Sequence, residues 1–250
     1  MQRADFLRWM MAGTAAVVFR PAKSLAEELT DSETPSGSYV INPAFVNSGP
    51  GLGHRVALTF DDGPTPGVTE VILRELADRN LAATFFMIGR KAETYKDLAQ
   101  AVRDGGHEIA NHTFTHPNLS RLSDARVDDE IERAQEAIEG STGVHPVWFR
   151  PPYGAFRRPQ GQIALKRDLG VAYWSVDPMD WKRPGASTIA ASVIRNAHPG
   201  AIILLHDLHK QTAEAIPELL DGLLERDFNL IKLSTFLGHP YGKDLPSENC

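Results

Sequence analysis

From Arg55 to about Leu237 the chain repeats one unit: a short apolar run, a polar tip and an amphipathic stretch of helical period. The apolar runs are Val56–Phe60, Ala83–Ile88, His107–Ala110, Val147–Phe149, Ala172–Val176, Ala201–Leu205 and Asn229–Ile231. Their length and composition read as strands. The periodicity between them predicts helices near 68–79, 91–104, 123–139, 159–169, 186–197 and 212–226. Ser123 stands where it could cap the third, and Gly105-Gly106 ends the second. Alternation of this kind implies right-handed crossovers and a largely parallel sheet. With about seven parallel strands, a barrel is favoured over an open sheet, though alternation alone does not decide between them.

The 250 residues suit one domain with short extras. Residues 1–26 have the layout of an export signal: Arg3 and Arg8, the uncharged run Trp9–Phe19, then Ser24-Leu25-Ala26 with small residues at the −3 and −1 cleavage positions. Arg3 to Arg8 is similar to a twin-arginine signal with Ala4 in place of the second arginine. An uncleaved amphipathic helix is the other reading. The run is too short to cross a bilayer comfortably, so no stable membrane anchor is expected after processing. Residues 27–53, rich in Pro, Gly, Ser and Asn, read as a lead-in, 54–240 as the domain and 241–250 as a tail. The net charge of −6, with the signs well mixed, argues against a nucleic-acid partner. Cys250 is the one cysteine, so no intrachain disulfide or thiolate cluster can form, which fits an exported protein. Nothing in the sequence sets an oligomeric state.

Parallel α/β folds gather function at the carboxyl ends of their strands. Here those ends carry Asp61-Asp62-Gly63-Pro64, Asn111-His112-Thr113-Phe114-Thr115-His116, Arg150-Pro151-Pro152-Tyr153, Asp177-Pro178-Met179-Asp180-Trp181 and His206-Asp207. His112 and His116 could aim both imidazoles at one point, and two imidazoles with one carboxylate make an open, catalytic metal site. Pro117 places the pair in a turn. Successive residues leaving a strand point in opposite directions, so Asp61 and Asp62 could divide two jobs, ligand and base; a solvated turn is the alternative. Arg150 could pair with a carboxylate and keep it ionised, or form a structural salt bridge. Asp180 could tune His206 as a general acid, while His206 could equally be a satisfied histidine at a strand end. Trp181 could be core.

Together these motifs resemble the polysaccharide deacetylases of carbohydrate esterase family 4, the NodB-homology domain, over about residues 54–237. The resemblance implies that family's distorted (β/α) barrel and a divalent metal, usually zinc, held by Asp62, His112 and His116. It implies Asp61 as base oriented by Arg150, the Tyr153 N–H at the oxyanion, and His206 as acid tuned by Asp180. Trp181 and Leu204 would shape the pocket for the acetyl methyl. The implied substrate is an acetylated polysaccharide, peptidoglycan or chitin-type, outside the cytoplasm. Three other readings are an O-acetyl esterase on xylan or another glycan, a binding module on an inactive scaffold, and a cytoplasmic ureide hydrolase.

Overall fold

The computed structural model describes residues 45–49, 51 and 53–237. The expected export signal and C-terminal tail lie outside the described residues.

The strands are β1 (Phe45–Val46), β2 (Arg55–Asp61), β3 (Thr84–Met87), β4 (Glu108–Asn111), β5 (Trp148–Phe149), β6 (Gly170–Ala172), β7 (Ile202–His206) and β8 (Asn229–Leu230). The helices are α1 (Thr69–Asp78), α2 (Gly89–Thr94), α3 (Lys96–Asp104), α4 (Asp124–Thr142), α5 (Gly161–Lys166), α6 (Ala186–Asn196), α7 (Lys210–Glu225) and α8 (Leu233–Leu237). Every strand pair is parallel, in the order β1-β6-β5-β4-β3-β2-β7, with β8 also on β2. Val176, just past β6, makes a single parallel bridge to Ile203 of β7, so the row curves round into a distorted barrel with β1 beside β6. All the strand tips therefore open on one rim.

Alternation along β2 sorts the interior. Val56, Leu58 and Phe60 pack outward with Ile72, Leu76, Ile216, Leu219 and Leu220 of the helical shell. Ala57 faces a narrow inner cluster with Phe86, Ala110, Trp148 and Ala172. Thr59 and Asp61 continue that inward row toward the rim. Burial of each large outer side chain contributes about 1.5–3 kcal/mol. At the opposite mouth, Leu233 and Phe236 of α8 join the inner cluster. There the Trp148 indole N–H donates to Ser234 Oγ (2.9 Å), and the Ser234 N–H donates to Glu108 (3.0 Å).

Four expectations need correction. The fifth predicted strand, Ala172–Val176, pairs earlier, over Gly170–Ala172. Beyond it, the carbonyls of Ala172 and Tyr173 accept from the Arg150 guanidinium instead of a neighbouring strand. The predicted helix 91–104 breaks at Tyr95 (φ −116°, ψ 50°). Ser123 occupies the N-cap of α4 without a side-chain capping bond. The lead-in also contributes β1, which pairs with β6 through Phe45 and Val46.

Candidate active site

The base of the site is a buried ion pair. Arg150 follows β5 and is fully enclosed (0% exposed). Its Nη1 donates to Asp61 Oδ1 (2.7 Å) and to Thr59 Oγ1 (2.8 Å). Its Nε donates to Ala172 O (3.0 Å), its Nη2 donates to Tyr173 O (2.9 Å), and Phe86 lies flat against it, 4.0 Å away. Burial pulls the guanidinium below its usual value, and the Asp61 charge and hydrogen bond act against that. A buried charge is tolerable only when partnered this thoroughly. Replacing Arg150 with Met strands the Asp61 carboxylate; it is expected to cost about 3–5 kcal/mol in urea unfolding.

Beside this pair, Asp62 departs from strand geometry. Its φ of +75° breaks the alternation expected for successive residues, and left-handed backbone is among the conformations aspartate tolerates best. Both carboxylates consequently reach one imidazole: His112 Nε2 is 3.7 Å from Asp61 Oδ2 and 3.5 Å from Asp62 Oδ1. His116 Nε2 is 3.0 Å from the same Asp62 oxygen. Asp62 Oδ1 is buried and receives no hydrogen bond. Burial pushes Asp62 up, but His112 and His116 outweigh this and hold it far below the usual carboxylate range. His112 Nδ1 lies 2.7 Å from Arg150 O; a carbonyl can only accept, so Nδ1–H donates to it and Nε2 is the nitrogen that faces the cluster. One ligand atom from each of Asp62, His112 and His116 falls within 4.8 Å of the others. One carboxylate and two imidazoles facing a donor-free oxygen fit a divalent cation with open coordination positions.

The turn carrying both imidazoles is held from outside the motif. Thr113 (φ 66°) and His116 (φ 64°) take left-handed conformations. Glu130 of α4 accepts from the Phe114 and Thr115 N–H groups (3.1 and 2.8 Å) and from the Thr115 hydroxyl (2.7 Å). Asn111 Oδ1 accepts the Thr113 N–H (2.9 Å), while its amide donates to Ile131 O and Gln135 Oε1. Sequence reasoning missed Glu130. The signal was there: it lies in the apolar row Val127, Ile131, Ala134, where a carboxylate is out of place unless it has partners.

Across the site, His206 ends β7. Its Nδ1 lies 2.7 Å from Asp180 Oδ1, and its N–H donates to Asp180 Oδ2 (2.8 Å). Thr212 of α7, also missed, donates its hydroxyl to the same Asp180 oxygen (2.7 Å). Burial opposes charge on His206, but the Asp180 hydrogen bond and charge, with Asp61 and Asp62 adding, raise it to about 9. His206 is thus a protonated imidazole at neutral pH.

The site opens into a cavity of about 410 Å³. Asp61, Asp62, His112, His116 and His206 line it, with apolar walls from Trp174, Trp181, Leu204 and Leu208. Trp181 is half exposed (50%) and lies outside the core. Tyr153, at φ 60°, packs its ring edge against His116 (centroids 4.7 Å). Of the histidines without an expected role, His209 joins the lining, as do Asp177 and Trp174. Every expected site residue except Arg150 and Asp180 lines the cavity; those two lie behind Asp61 and His206.

A family model for polysaccharide deacetylases matches residues 48–174. A Bacillus cereus peptidoglycan-N-acetylglucosamine deacetylase is 36% identical over 187 residues, covering 75% of this chain and 68% of that one. A chitooligosaccharide deacetylase of Bradyrhizobium is 39% identical over 190 residues, covering 70% and 87%. The chain spans 39% of the length of a Listeria monocytogenes peptidoglycan-N-acetylglucosamine deacetylase. Among solved structures, a family 4 pseudoenzyme from Bacillus anthracis superposes with a TM-score of 0.74 at 31% identity, covering 81% of this chain and 71% of that one. On fold and sequence alike, the chain belongs to the polysaccharide deacetylase family.

Proposed function

We propose that this protein is a zinc-dependent hydrolase that removes N-acetyl groups from a glycan containing N-acetylglucosamine, and that it acts after export. The observation carrying this reading is the convergence of Asp61, backed by Arg150, and His206, backed by Asp180, with the Asp62–His112–His116 cluster on one cavity. Relatives named as peptidoglycan and chitooligosaccharide deacetylases support the substrate class. A peptidoglycan or chitin-type substrate is met outside the cytoplasm, and residues 1–26 supply the expected export signal. No helix among the described residues is long and apolar enough to cross a membrane.

Asp62, His112 and His116 would hold a divalent cation, which would supply Lewis acidity toward a water and an acetamide carbonyl. Asp61 takes the water's proton on Oδ2, because Arg150 occupies Oδ1. The oxygen adds to the carbonyl carbon, and the Tyr153 N–H donates to the oxyanion, a contribution of about 3 kcal/mol. His206 then gives its proton to the nitrogen as the C–N bond breaks, since an amine anion is too basic to leave at neutral pH. Acetate and a free amino sugar result. Trp181 and Leu204 enclose the acetyl methyl.

The test is acetate release from N-acetylglucosamine oligomers, peptidoglycan and O-acetylated xylan, after chelation and after zinc is restored. Release from the N-acetylated substrates, lost on chelation and regained with zinc, is expected. Release from xylan alone would replace amide cleavage with ester cleavage. No release from any of the three would make the protein an inactive relative.

A further inference from the structure

Asp207, at the tip of β7, takes no part in the chemistry above and does not line the cavity, yet it is buried (1% exposed) beneath the site. Its N–H donates to Asp61 O (3.1 Å). Its Oδ2 accepts the Thr69 hydroxyl (2.7 Å), which itself accepts the Thr65 N–H (2.8 Å). Lys91 Nζ then donates to Thr65 Oγ1 (3.1 Å). This chain of contacts ties β7 to both ends of the turn that carries Asp62.

Gly63 completes the arrangement. A Cβ built on it would overlap the Cγ and both carboxyl oxygens of Asp207. Gly63 is not among the residues in left-handed backbone, so it is space against Asp207 that calls for glycine here. Asp207 Oδ1 receives no hydrogen bond, and burial pushes the carboxyl up to about 7.

We propose that Asp207 is a positioning residue: its carboxyl, seated against Gly63, holds the turn so that Asp62 meets His112 and His116 at cation-binding distance. The inference rests on the metal-site reading above. Its test measures zinc affinity of the full chain by competition with a chromophoric chelator, alongside the melting temperature of the zinc-free protein. Asp207→Ala is expected to weaken zinc binding about 10- to 100-fold, the usual effect of removing a supporting partner, whereas Asp207→Asn, which still fills the slot and accepts from Thr69, stays within about threefold. Gly63→Ala should weaken binding at least as much as Asp207→Ala. Adding Asp207→Ala to Gly63→Ala should recover affinity, because the new methyl enters the vacated space.

A folded Asp207→Ala with wild-type zinc affinity overturns the proposal, whatever its melting temperature. Simple addition of the two losses in the double variant does the same. Should Asp207→Ala not fold, unchanged affinity in Gly63→Ala overturns it. Wild-type protein that takes up no zinc overturns the metal-site reading, and this inference with it.

Discussion

Asp61→Asn is expected to lower kcat for acetate release by about 10²- to 10⁴-fold, the range for losing a general base, with zinc affinity little changed. The two adjacent aspartates differ in surroundings: Asp61 Oδ1 is taken by Arg150, whereas Asp62 Oδ1 is left without a donor opposite two imidazoles. Asparagine keeps the shape of Asp61 and can still accept from Arg150, but it removes the counter-charge of the buried guanidinium, so kcat is compared on protein shown to be folded. Asparagine cannot take a proton from water. Asp62→Ala should show the converse, losing zinc and activity together. Steady-state kinetics paired with chelator competition separates the two. Equal loss of zinc in both variants would make the aspartates joint ligands and leave the reaction without its base.

His206→Ala should reduce deacetylation of an N-acetyl sugar by about 10²- to 10⁴-fold, and reduce hydrolysis of an activated aryl acetate far less. The amide needs its nitrogen protonated on departure; a phenolate leaves unaided. The pH profile carries the second half of this prediction. As the proposed acid His206 would work in its protonated form, so activity is expected to fall as pH rises through its pKa, raised here to about 9. Asp180→Asn removes the charge that counters burial, and the basic limb should then move to lower pH. A profile unmoved by Asp180→Asn, or equal losses on amide and ester, would remove His206 from the acid role.

Much of this was legible in the sequence because strands and polar tips repeat in order. Each of the seven apolar runs contributes a strand, and the tips meet on one rim as a parallel barrel requires. What escaped depends on neighbours distant along the chain. Tyr173 to Ser175 read as strand by composition, but the Arg150 guanidinium claims the Ala172 and Tyr173 carbonyls. Asp61 and Asp62 should diverge by strand geometry, but the left-handed backbone at Asp62 turns both inward. Glu130 and Thr212 lie on helices outside the motifs; their trace is a polar residue on an otherwise buried helix face.

The way the barrel closes gives Asp180 a mechanical duty as well. Between β6 and β7 the ladder shrinks to one bridge, Val176 to Ile203, whereas β2 and β7 pair over five residues. Past that seam the Asp180 carboxylate grips the β7 tip through the His206 backbone and ring and reaches α7 through Thr212. A side chain thus stitches the ring where main-chain pairing runs out, and whatever loosens that stitch frees the His206 ring at the β7 tip.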